Sequence, residues 1–408
     1  MVTPFRPTRW TLLFLLLAAM MVLMGGAAVA PALPLISEAF PDEPEATISM
    51  IITLPALAIA LTGFFVGELS DRIGKIPVLA VSVAIFSIAG CSGYFLTSLP
   101  AILAGRFILG IGIAGIICTT SALIVCYYDG ISRTRVLGYQ AAAMGMGVVV
   151  LETSGGYLAG ISWRAAFLIY LVGVVILAGV LLTMREPARV NVEKTAGAPE
   201  ETFPASLLLP AYATVFLGNL LFFLVPTKFP YLIANLDAAR ILGENFALTA
   251  GIFLGAMGCA SSLVGLVYGR VAWRFHRYTL LTLCFAFFGT GLCGLGFATS
   301  LLAVGVSVIL VGLAQGILMP TILSWIAAIT PKPFIGRASG GFSVAMNLGL
   351  FVSTLAMVPV IAVVATYGNL FLAFGSAAFA LALPYLFSMV KRQFAPPGVA
   401  VDMKPGAE

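Results

Sequence analysis

Stretches of about 20 apolar residues follow one another along almost the whole chain, each long enough to cross a bilayer as a helix. They fall, to within a few residues, at 10–34, 47–69, 77–97, 100–127, 136–160 and 163–183, then at 205–234, 246–269, 278–298, 301–327, 337–364 and 368–390. Lipid offers the backbone no hydrogen bonds, so each run must satisfy its own N–H and C=O groups by coiling into a helix. The runs are continuously apolar rather than alternating, which excludes an outer-membrane barrel. Of the 408 residues 61% are hydrophobic and 9% charged, far from the balance of a soluble core. The expected fold class is therefore an all-α membrane protein of about twelve transmembrane helices.

The longest polar interruption is 184–204, with Arg185, Glu186, Arg189, Glu193, Lys194, Glu200 and Glu201. It reads as a cytoplasmic linker. It divides the chain into six-helix bundles at 1–183 and 205–392, followed by a tail at 393–408. The loops on the side of the two termini carry Arg72, Lys75, Arg133, Arg135, Arg270, Arg274 and Arg277. Those on the other side carry only Arg164, Lys228 and Arg240, and the first of them is acidic with Glu38, Asp42, Glu43 and Glu45. Lys/Arg bias sets orientation, so both termini are expected in the cytoplasm, in a cell membrane. The first run is too long for a signal peptide and is read as a span. Basic residues dispersed over short loops do not make a nucleic-acid surface. None of the six cysteines stands in a Cys-x-x-Cys pair, and neither a metal nor a cofactor site is expected.

Between the second and third runs lies GELSDRIGK, Gly67–Lys75, followed by Pro77. This Gly-x-x-x-Asp-Arg-x-Gly-Lys string resembles the signature loop of major facilitator superfamily transporters. Gly265-Leu-Val-Tyr-Gly269-Arg270 partly repeats it between runs eight and nine. Arg106 in GRFILGIGIAG on run four resembles the family's buried arginine. Gly155-Gly156-Tyr157 followed by Trp163-Arg164 resembles the end of helix five in its twelve-helix drug:proton antiporter branch. Where that branch carries Gly-Pro, this chain has Leu151 and Glu152. The resemblance implies two pseudo-symmetric bundles with parallel topology, alternating access, and a monomer that exchanges a small-molecule substrate for protons. It also implies that Gly67, Asp71, Arg72, Gly74 and Lys75 form a cytoplasmic gate. In it Asp71 approaches the start of helix eleven near Gly336–Gly340, and Asp129 pairs with Arg72 or Lys75.

Glu152 stands deep in a span, where a charge is costly unless paired or wetted, and the first run holds no acid. At about 1.5 Å rise per residue, Arg106 lies roughly 9 Å and Glu152 roughly 12 Å from the outer ends of their helices, so the two are expected to pair. The pair reads either as a proton-coupling site or as a static link between helices. Lys228, between Pro226 and Pro230, reads as a contact for an anionic substrate or as a lysine snorkelling to the interface. Tyr139, Gln140, Asn219, Gln315, Trp325 and Asn347 are candidate cavity residues, with interhelical hydrogen bonding as the alternative.

The leading functional expectation is a proton-coupled exporter of small amphipathic compounds or drugs. Export of an anionic or zwitterionic metabolite or chelator, and symport, are the alternatives. No Gly-x-x-x-x-Gly-Lys-Ser/Thr loop supports a built-in ATPase. The single histidine, His276, sits in a basic loop, which argues against the Ser–His dyad of a membrane protease.

Overall fold

A computed structural model describes residues 7–187, 204–235, 246–331, 334–364 and 366–393. Most of the expected linker and the tail lie outside these. All regular structure among the described residues is helical. The helices are α1 (Arg9–Met20), α2 (Glu45–Ile73), α3 (Lys75–Phe95), α4 (Leu99–Tyr127), α5 (Gly130–Ile161), α6 (Val172–Thr183), α7 (Ala205–Ala234), α8 (Phe246–Arg274), α9 (Arg277–Gly296), α10 (Leu301–Ile329), α11 (Ile335–Val364) and α12 (Tyr367–Gln393). Eleven helical stretches are long and apolar enough to cross a membrane.

The first apolar run is the exception to one helix per run. After α1 it continues as 3₁₀ turns at Met21–Leu23 and Ala30–Ala32, with a four-residue helix between them, and then as the helix Leu33–Ala39. Gly25 and Gly26 weaken the helix and Pro31 and Pro34 each remove a backbone donor, so the ladder breaks here. The broken stretch packs closely: a Cβ on Gly26 would lie 2.6 Å from Ile52 Cγ2 of α2. The sixth run similarly starts as 3₁₀ turns, Ala165–Leu171, ahead of α6.

The packing order repeats six helices on. In the first half α2 and α3 pack on α4 and α3 on α6; in the second, α8 and α9 pack on α10 and α9 on α12. Glycines set the distances. A Cβ on Gly110 of α4 would meet the Pro55 carbonyl of α2 at 2.3 Å, and one on Gly312 of α10 would meet the Met257 carbonyl of α8 at 2.2 Å. The two halves join along α2–α11 and α5–α8.

That junction is tight at one end of the molecule and open at the other. Along α5–α8, added Cβ atoms would meet a neighbour at 2.6 Å for Gly156 (Ala247 carbonyl), 2.5 Å for Gly251 (Glu152 carbonyl), 2.4 Å for Gly258 (Val148) and 2.1 Å for Gly145 (Ser262). Beyond that level the helices part: Gly138, Gly265 and Gly269 have nothing within 4 Å. On α2–α11, Thr53 and Thr354 hydrogen-bond at 3.1 Å, whereas Gly63 and Gly340, further along, face open space. The halves thus touch at the end that carries Glu45 and separate at the end that carries the signature loop.

Candidate functional site

Glu152 is 2% exposed, and its Oε2 has no hydrogen-bond partner. One turn on, a Cβ on Gly155 would fall 1.9 Å from the Ala28 carbonyl of the broken first segment, and Gly156 abuts Ala247 of α8. Glu152 therefore stands where α5 meets both the first segment and α8, on the junction between the halves. Among the described residues no cation compensates a carboxyl there, and it reaches water only if the junction opens.

Arg106, 1% exposed, faces elsewhere. Its Nη1 donates to the Tyr170 hydroxyl at 2.8 Å, and its guanidinium carbon lies 4.8 Å from the Phe167 ring centre and 5.0 Å from that of Tyr170. Nε and Nη2 have no partner. The arginine thus sits inside the first half, against the 3₁₀ turns before α6, and the expected ion pair with Glu152 is not formed. Equal depth on consecutive helices is not enough, because helix rotation sets direction. α4 turns Arg106 toward the 3₁₀ turns before α6, while the stretch of α5 that carries Glu152 packs on the first segment and α8. The cation is held by π faces and one hydroxyl rather than by a carboxylate.

The other polar positions divide. Gln315 Nε2 donates to Asn219 Oδ1 at 3.4 Å, tying α10 to α7, while Gln315 Oε1 is buried without a partner. Asn219 and Asn347 each donate to the carbonyl one turn back, Val215 and Ser343. Gln140 is buried and Tyr139 exposed on α5. Trp325 lies apart from these, under the Arg277 guanidinium at 5.2 Å.

Lys228 neither snorkels nor stands free. Its side chain is buried, bonded to Glu45 Oε1 of α2 and to Ser49 Oγ at 3.3 Å. Glu45 Oε2 accepts from the Tyr367 hydroxyl at 2.6 Å. Glu45 escaped the sequence reading because it stands among loop acids. The one available signal was its place at the first turn of α2, on the same side of the membrane as Lys228.

At the other end, Arg72 pairs with Glu68 (2.5 Å), Lys75 with Asp71 (3.2 Å) and Arg133 with Asp129 (3.0 Å), each one helical turn apart. Asp129 is therefore paired with Arg133, which lies closer in sequence than the Arg72 or Lys75 expected for it. The Asp71 side chain is 77% exposed and the Cβ position of Gly340 is open, so the contact expected between Asp71 and helix eleven is not made in this conformation. A Cβ on Gly67 would lie 3.9 Å from Cys118 Sγ, a loose contact. Gly74 has φ +118°, a backbone that favours glycine, and a Cβ there would lie 3.0 Å from the Glu186 carboxylate. Glu186 accepts from the backbone N–H groups of Lys75 (2.7 Å) and Ile76 (2.8 Å), capping α3. The sequence reading had counted Glu186 only as a linker charge.

Residues 15–262 match the Major Facilitator Superfamily. The multidrug efflux protein YfmO of Bacillus subtilis is 28% identical over 296 residues, 67% of this chain and 72% of that protein. A homolog of the multi-drug resistance efflux pump PmrA from Lactococcus lactis is 25% identical over 320 residues, 75% of this chain and 76% of that one. Among solved structures, a bacterial homolog of the human lysosomal transporter Spinster, in an inward-facing and occupied conformation, superposes with TM-score 0.74 at 16% identity, covering 95% of this chain and 98% of its own. The nucleoside transporter NupG gives 0.77 at 11% identity, over 92% and 98%. At these identities the superpositions establish a common fold. Helices, repeat and family match agree: the chain belongs to the Major Facilitator Superfamily, and is a transporter rather than an enzyme.

Proposed function

We propose that this transporter is a proton-coupled exporter of small amphipathic compounds or drugs, working by alternating access as a monomer in the cell membrane with both termini in the cytoplasm. One observation carries the coupling: a buried carboxyl, Glu152, sits on the junction between the halves with Oε2 unpartnered. A carboxyl without a counter-charge is held better protonated in the closed junction and better ionised when wetted. Proton uptake and release at Glu152 thereby bias which face is open. Two relatives named as multidrug efflux proteins support the direction and the substrate class. With the basic loops in the cytoplasm, the open end faces the cytoplasm, ready to load cargo for export.

Arg106 has a structural role in this scheme, holding α4 to the 3₁₀ turns ahead of α6 through Tyr170 and Phe167. The candidate cargo wall is the Asn219–Gln315 pair with Gln140, Tyr139 and Asn347. The reading of an anionic or zwitterionic substrate loses its chief support, since the Lys228 ammonium is engaged by Glu45. Asp71, Arg72, Gly74 and Lys75 form the cytoplasmic gate, unlatched in this conformation.

The test is transport of cationic and neutral drugs in proteoliposomes under an imposed pH gradient. Wild type should accumulate drug against its gradient, and Glu152→Gln should bind drug but lose gradient-driven movement. Undiminished pH-driven transport by Glu152→Gln would remove Glu152 as the carrier.

A further inference from the structure

We propose that Glu45 is a second coupling carboxylate, and that its bond to Lys228 is the clasp that shuts the outer face, released when Glu45 is neutralised. The proposal rests on the alternating-access reading above and adds a site to it.

The clasp joins the halves. Glu45 opens α2 in the first half, and both of its carboxylate oxygens are bound by the second: Oε1 by Lys228 of α7, Oε2 by the Tyr367 hydroxyl of α12 at 2.6 Å. Around this core, Tyr231 of α7 stacks on Tyr367 (ring centres 5.8 Å apart, 23° between planes) and shares a hydrogen bond of 2.8 Å with Ser37 of the first half. The Lys228 ammonium lies 5.3 Å from the Tyr231 ring centre. At the opposite end, the pairs Arg72–Glu68, Lys75–Asp71 and Arg133–Asp129 each join residues four apart, inside the first half.

Burial of the pair is lopsided, which makes it a device and not merely a strut. The Lys228 side chain is 4% exposed and that of Glu45 is 29%. A proton arriving from outside can reach the carboxylate, but the ammonium cannot be hydrated unless the halves part. Neutralising Glu45 strands a buried cation, and removing one partner of a buried pair is strongly unfavourable. Opening the outer face relieves it by wetting Lys228. Pro226 and Pro230 flank Lys228 and remove two N–H donors from α7, so the helix carrying the lysine can bend there. Among the described residues, the charged and titratable groups facing Glu45 are Lys228 and Tyr231 from α7 and Tyr367 from α12, with the Ser49 and Ser37 hydroxyls beside them. Asp42 and Glu43 precede it in the loop. Both tyrosines are neutral phenols, so the charge balance is set by Glu45 against Lys228. Acid outside thus opens the outer face.

The experiment measures spin-label distances in the full chain in lipid nanodiscs, with the native cysteines replaced. One label pair sits at the outer end (Ala39→Cys with Asn369→Cys) and one at the inner end (Gly138→Cys with Gly269→Cys). In the otherwise wild-type chain, acid buffer should lengthen the outer distance. Glu45→Gln should raise the open-to-closed ratio roughly tenfold or more at neutral pH, with no further acid response. Lys228→Met should keep the outer face closed in acid, and the double variant should close again because no cation is stranded. Lys228→Met also answers the question should Glu45→Gln not fold. A Glu45→Gln chain that stays closed with the wild-type acid response overturns the proposal, as does Lys228→Met retaining that response. These distances require no transport, so a failure of Glu152 as proton carrier reads out separately.

Discussion

Glu152 and Arg106 show what a residue reveals through its cost and what it conceals. Both stand out in the sequence because charge is rare in apolar runs, and both are indeed buried. Their partners were not legible. Depth follows from counting along a helix, but direction follows from rotation and packing, which no single run encodes. So Arg106 was matched with the wrong neighbour, and Lys228 with none. The correction has consequences at Tyr170. Tyr170→Phe removes the hydroxyl that holds the Arg106 guanidinium and leaves a third nitrogen unsatisfied. A buried hydrogen bond to a charged group contributes on the order of 1.5–3 kcal/mol. The variant should unfold at lower temperature in detergent while keeping its pH-driven transport. A loss of coupling without a loss of stability would return Arg106 to the proton path. Glu152→Asp provides the complementary measurement. It keeps the acid but shortens it, so transport should slow while its dependence on the pH gradient persists.

At the level of elements, the runs of apolar residues located the spans to within a few residues, because hydrogen-bond starvation in lipid leaves a single solution. The break in the first span was also present in the sequence, as Gly25-Gly26 followed by Pro31 and Pro34, although the run was read as one helix. What could not be read was which glycines touch another backbone. The distances now separate them. Gly155→Ala would put a methyl 1.9 Å from the Ala28 carbonyl, an overpacking that should cost about 1–3 kcal/mol and impair transport. Gly265→Ala has open space and a helical backbone, and should be neutral or stabilise by about 0.5–1 kcal/mol. Thermal unfolding of the two variants side by side checks the contrast. If both behave alike, the glycine contacts do not follow the packing described. The cap that Glu186 places on α3 belongs to this scale as well. It ties the start of the linker to the signature loop, a contact between segments 110 residues apart that sequence order conceals.

For the whole molecule, the two-bundle plan was legible because the signature loop partly repeats and polar loops fall on alternating sides. The conformation was not, since one sequence must serve both ends of a transport cycle and cannot announce which is occupied. The closed end offers a direct check. Thr53 and Thr354 hydrogen-bond across the halves at 3.1 Å. Thr53→Cys with Thr354→Cys, in a background free of other cysteines, should cross-link on oxidation and stop transport, with recovery on reduction. Transport unaffected by the cross-link would mean that this contact is never broken during turnover.

The glycine-lined seam between α5 and α8 carries an implication for how such a transporter can change its diet. At Gly156 and Gly251 backbone lies against backbone, so even one extra methyl is excluded, and that contact is closed to innovation. New cargo must be accommodated by altering side chains away from that contact, on α7, α10, α11 and the parted end of α5. Variants selected in the laboratory for altered cargo should accumulate there and leave that contact unmarked.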